Sequence, residues 1–130
     1  MANSDITTGL TFKKTFTAKK EWAADAMGSG GVPVLGTPAL ILAIENLAFK
    51  SVKNLIDKGF TTVGTKMDIT HLYPTAVGSE FCVELLISTC DGARLEFAIT
   101  STSGGRVIAS GFHRRNIVEV EKFMTRLLST

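Results

Sequence analysis

The chain has 130 residues, 45% of them hydrophobic and 20% charged, with a mean hydropathy of +0.23. That is enough for one domain over 1–130 that buries about two thirds of its unfolded surface without a disulfide or a metal. A net charge of +2 and two cysteines, Cys82 and Cys90, exclude a dominant nucleic-acid or membrane partner, a disulfide framework and a zinc site with clustered ligands.

In chain order, Met1–Thr11 is polar and acidic where a secretory leader needs a basic start and an apolar stretch. The apolar run Ala39–Ile44 is far short of the roughly 20 residues that span a bilayer. A cytoplasmic protein is therefore expected. Leu10, Phe12 and Phe16 share one parity, which predicts a strand with one covered face. Lys19–Gly31 follows, with Trp22 in it and Gly28-Ser29-Gly30-Gly31 at its end, and reads as a mobile loop or lid. Thr37-Pro38 opens a helix that runs to about Ile56, with Thr37 as N-cap and Gly59 as C-cap. Its apolar stripe is Ile41, Ile44, Ala48, Val52 and Leu55, widened by Leu47.

From Gly59 onward the period is two. Thr62–Leu72 puts Val63, Met67, Ile69 and His71 on one face, opposite Lys66, Asp68 and Thr70. Phe81, Val83, Leu85 and Ile87 alternate with polar residues, Asp91-Gly92 marks a hairpin, and Leu95, Phe97 and Ile99 continue beyond it. Ser103-Gly104-Gly105 turns into a long strand, Arg106–Val118, and Glu119–Leu128 is a short helix with Val120, Phe123, Met124 and Leu127 on one stripe. The order of elements is α+β, and one long helix wrapped by a curved antiparallel sheet of about five strands is the hot-dog architecture. A single helix leaves one sheet face and the open edges uncovered, which favours a homodimer.

Three residues stand out as chemistry. Glu45 has Ile41, Leu42, Ala48 and Phe49 as its helical neighbours. A carboxylate on that face is either a paired group in an active site or a residue at the stripe's margin that reaches solvent. His71 shares a parity with Met67 and Ile69 and faces the helix of Glu45, where a carboxylate could make it a general base. Thr37 is explained by capping alone, and eight residues at helical rise put it about 12 Å from Glu45, so the two cannot bond along one straight helix. Gly64 within a strand marks a bulge or a close approach to a ligand. His113-Arg114-Arg115, with Lys13, Lys14, Lys19 and Lys20, reads as solvated surface charge.

At these positions the chain resembles the hot-dog thioesterases of the fluoroacetyl-CoA thioesterase type. The matching stretches are Val34-Leu35-Gly36-Thr37-Pro38, Leu42-Ala43-Ile44-Glu45, Thr62-Val63-Gly64-Thr65 through Thr70-His71-Leu72, Gly92-Ala93-Arg94-Leu95 and Gly111-Phe112-His113-Arg114-Arg115. The resemblance implies an acyl-CoA thioesterase that releases a carboxylic acid and free CoA, with Thr37, Glu45 and His71 as the catalytic set. It implies that Gly64 and Arg115, with Arg114 beside them, contact substrate, and that the sites lie at a dimer interface. No metal and no cofactor beyond the CoA of the substrate is implied. Fluoroacetyl-specific members close the acyl pocket with aromatic residues where this chain has Gly28-Ser29-Gly30-Gly31, which implies a different acyl group. A hydratase or dehydratase on the same fold, and an acyl-CoA-binding module without turnover, are the alternative readings of the residues.

Overall fold

The structure, a computed structural model, describes residues 5–129; the first four residues of the polar N-terminal stretch lie outside it. The strands are β1 (Thr11–Thr17), β2 (Phe60–His71), β3 (Glu80–Asp91), β4 (Arg94–Ser103) and β5 (Arg106–Glu119), and the helices are α1 (Ala24–Met27), α2 (Thr37–Lys53) and α3 (Val120–Leu128). The strands form one antiparallel sheet in the order β1-β3-β4-β5-β2. Its concave face wraps α2, as expected for an α+β hot-dog fold. Among the described residues, no helix is long and apolar enough to cross a membrane.

The core lies between α2 and the inward residues of β3, β4 and β5. Phe81, Val83, Leu85 and Ile87 are at most 1% exposed, as are Leu95 and Phe97, so the period-two alternation predicts the buried face of β3 and β4 correctly. Each such side chain contributes about 1.5–3 kcal/mol by leaving water. Gly104 and Gly105 both have positive φ (58° and 76°), the backbone that a two-residue hairpin with right-handed strand twist requires.

Four local expectations are corrected. The N-cap of α2 is Gly36, with Thr37 already helical and no side-chain cap bond, so capping does not account for Thr37. The helix stops at Lys53 with Asn54 as C-cap, and Gly59 (φ 90°) belongs to the turn that the Phe60 N–H closes on the Asp57 carbonyl. The ladder between β2 and β5 slips between Gly64 and Lys66. This bulge reverses the alternation: Thr62 and Gly64 point inward before it and Met67, Ile69 and His71 after it, so Val63 lies on the outer face. Finally, Lys19–Gly31 is not a plain loop but a cover with secondary structure of its own. It holds a 3-10 turn (Lys20–Trp22) and α1, pins Trp22 against Phe16 and Phe81 at 6.3 Å each, and is tied by a bridge between Ala23 and Leu35.

Ile44, Leu47, Ala48 and Val52 of the expected α2 stripe are buried, and the stripe is wider on one side than expected. Its buried residues are Ala39, Leu40, Ala43, Ile44, Leu47, Ala48 and Val52, with Ile41 half-buried and Leu42 51% exposed. The stripe of α3 forms as predicted and stays largely open to solvent: Val120, Phe123, Met124 and Leu127 are all at least 40% exposed.

Candidate active site

The predicted residues assemble into two groups, one at each level of α2. At the N-terminal end, Gly36 starts the helix so that the Thr37 side chain is free to leave the backbone, and β2 ends at His71 beside it. Thr37 Oγ1 lies 2.8 Å from His71 Nδ1. His71 Nε2 is buried and has no hydrogen-bond partner among the described residues. Burial pushes the His71 pKa below its ordinary 6.5, partly offset by the Tyr73 main chain, so the ring is neutral at pH 7. A neutral imidazole that accepts a hydroxyl hydrogen is the arrangement that activates a hydroxyl or fixes its direction. The pair opens on a cleft of about 270 Å³ whose other walls include Ser29, Leu35, Leu72 and Tyr73.

Two turns along α2, Glu45 sits at the margin of the stripe with its side chain 43% exposed, and its Oε2 is 3.9 Å from Arg115 Nη1. Of the two readings of Glu45, the margin position is the observed one, and it also carries the ion pair. Gly64 is what permits the approach: a Cβ there would stand 3.0 Å from Glu45 Oε2, 3.2 Å from His113 Cε1 and 3.4 Å from Arg115 Nη1. Arg115 is 6% exposed and His113 1%, which corrects the reading of this segment as surface. Arg115 Nε donates to Thr62 Oγ1 at 2.8 Å and Nη2 to the Thr62 carbonyl at 3.0 Å. Burial lowers the Arg115 pKa from its ordinary arginine value and the Glu45 carboxylate raises it back in part; the guanidinium stays charged.

Arg114 is not brought into this cluster. One residue along β5, it points to the outer face and pairs with Glu96 at 3.3 Å. His71 meets Thr37 and not Glu45, although both lie under the same helix. Sequence reasoning missed Thr62 and the burial of His113. The signal was present in β5, where His113 and Arg115 stand four and two residues before the inward Ile117, but the bulge in β2 concealed the inward parity of Thr62.

Comparison with known proteins bears on this arrangement. The family model described as FlK, fluoroacetyl-CoA-specific thioesterase, matches residues 17–121. A fluoroacetyl-CoA thioesterase of Streptantibioticus cattleyicolor is 24% identical over 94 residues, 72% of this chain and 68% of that one. Among solved structures, the fluoroacetyl-CoA thioesterase FlK superposes with a TM-score of 0.89 at 20% identity, covering 96% of this chain and 97% of its own. A hot-dog-like protein from Thermanaerovibrio acidaminovorans does so with a TM-score of 0.89 at 16% identity, covering 98% and 94%.

Proposed function

The chain belongs to the fluoroacetyl-CoA-specific thioesterase family and is an acyl-CoA thioesterase, and we propose that Thr37, His71, Glu45, Gly64 and Arg115 carry its reaction across a homodimer. The observation that carries this reading is the 2.8 Å contact of Thr37 Oγ1 with His71 Nδ1 at the mouth of the cleft. His71 holds the Thr37 hydroxyl in position to orient the attacking water. Glu45 accepts a proton from that water as its oxygen bonds to the thioester carbon and the carbonyl electron pair moves to oxygen. A backbone N–H near Gly64 receives the oxyanion. Collapse of the adduct breaks the C–S bond, Glu45 returns the proton to sulfur, and the products are a carboxylic acid and free CoA.

The two groups sit about 12 Å apart along one helix, so they act together either through water or substrate or, in the reading proposed here, with Thr37 and His71 of one copy and Glu45 of another. β2 supports this pairing, since it is a 12-residue strand at the edge of the sheet with a row of backbone groups open to another strand. Antiparallel self-pairing about Met67 sets Lys66 opposite Asp68 of the second copy, a favourable cross-strand pair, and carries the Gly64 end of one strand to the His71 end of the other. Cys82 and Cys90 are not joined in a disulfide, which fits a reducing cytoplasm.

Of the exposed Gly28-Ser29-Gly30-Gly31 segment only Ser29 lines the cleft beside Thr37 and His71, whose aromatic wall is Tyr73; the segment itself supplies none. This supports an acyl group larger than fluoroacetyl. Thiol release from a panel of fluoroacetyl, branched, aromatic and long-chain CoA thioesters tests both statements. The expected result is turnover with highest kcat/KM for a larger acyl group. Strict preference for fluoroacetyl-CoA overturns the pocket assignment, and saturable binding of every thioester without thiol release overturns the catalytic roles.

A further inference from the structure

His113 takes no part in the reaction above, yet it is the most thoroughly buried histidine of the fold. It lies on the inner face of β5 with its ring stacked near that of Phe97 on β4 (centroids 6.3 Å apart, planes 26° apart). Its Nδ1 is 2.8 Å from the Lys66 carbonyl of β2, an acceptor, so Nδ1 carries the proton. Its Nε2 is 3.1 Å from Arg115 Nη1, and a guanidinium has donors only, so Nε2 presents its lone pair. Two obligate partners therefore fix one neutral tautomer.

The consequence falls on Arg115. Of five N–H groups, one goes to Thr62 Oγ1, one to the Thr62 carbonyl and one to His113 Nε2. That leaves one on Nη1 and one on Nη2, and Nη1 is the atom 3.9 Å from Glu45 Oε2. We propose that His113 is a positioning residue for catalysis: as a neutral acceptor it locks the guanidinium so that its remaining donors face Glu45 and the reacting thioester. This rests on the reading that Arg115 serves the site.

The charged groups around His113 are Arg115 on β5 and Glu45 on α2; β4 presents Phe97 and β2 presents the Lys66 carbonyl and Gly64. Protonation of His113 would remove the acceptor and place two cations in contact. Burial holds its pKa below 6.5, opposed by the Lys66 carbonyl; Arg115 lowers it further and Glu45 opposes that. The lock is therefore engaged at neutral pH and released on acidification.

The test is a cycle of His113→Leu, Arg115→Met and the double variant, with His113→Gln as the conservative replacement, because a Gln amide can donate to Lys66 and accept from Arg115. Thiol release is followed as kcat and KM. His113→Leu should lose roughly tenfold or more in kcat/KM, in the range that small misplacements of a reacting group produce. His113→Gln should recover most of it, and the double variant should be no worse than Arg115→Met, as expected for residues acting as one unit. If His113→Leu lowers stability too far to assay, the His113 ring proton followed by NMR decides: in Arg115→Met it should titrate at higher pH than in the parent. Losses that multiply, a His113→Leu enzyme within twofold of the parent, or an unmoved ring titration would overturn the proposal. Full activity of Arg115→Met together with a shifted ring titration would instead overturn the role of Arg115 and leave the His113–Arg115 lock intact.

Discussion

The two levels of α2 hold their functional groups by opposite means. At the helix start, Thr37 is exposed, His71 is half-buried, and a single hydrogen bond joins them beside an open cleft. Two turns along, Arg115 is clamped by three hydrogen bonds in the core and only Glu45 reaches outward. The difference matches what each group must do. A hydroxyl that meets substrate needs access, with the imidazole behind it fixing its direction, whereas a guanidinium that must keep one direction gains from burial, where its attraction to a carboxylate is less screened by solvent.

The largest expected effect comes from the outward member of the buried level. Glu45→Gln keeps shape and removes the base, and should lower turnover by about 10²–10⁴ with the melting temperature little changed; full thiol release by this variant would dissolve the comparison, because the second level would then be structural only. Next, Thr37→Val removes the hydroxyl at nearly constant volume. Turnover should fall by roughly 10² while Thr37→Ser keeps most activity, and equal activity of the two would show that the open level only caps the cleft.

Gly64→Ala sharpens the contrast, since the added Cβ stands 3.0 Å from Glu45 Oε2 and 3.2 Å from His113 Cε1. Displacing these groups by a few tenths of an ångström should cost about tenfold in kcat with KM less affected; an unchanged kcat would mean that the spacing of Glu45 and Arg115 is not catalytic. The smallest effect is on stability against pH. Both histidines have folded pKa values below the unfolded 6.5, so the unfolded chain binds more protons and stability rises with pH through that window. Denaturant unfolding should show a loss as pH falls below 6.5, reduced in His113→Gln; a flat profile would place both rings in water-like surroundings.

Legibility along the chain follows the same division. The alternation in Phe81–Ile87 and Leu95–Ile99 and the Ser103-Gly104-Gly105 turn are local signals, each read within a few residues, and they correctly give β3, β4 and the hairpin into β5. Thr37, Glu45, His71 and Gly64 were legible as unusual residues in their elements. What the periodicity concealed was the slip of register after Gly64, since a bulge exchanges inside for outside without any local mark in Thr62–Thr65 beyond the glycine.

By itself, then, the sequence determined the order of elements, the buried faces of the regular strands and the set of polar residues set against apolar neighbours, because burial and backbone geometry act at short range. Only the tertiary structure decided which of those residues meet. It joined His71 to Thr37 and not to Glu45, turned Arg114 outward and Arg115 inward, and made His113 a core acceptor instead of a surface charge. Those outcomes depend on cross-strand register and on the rotation of α2 against the sheet, which are fixed by packing among residues 30 to 80 positions apart in the chain.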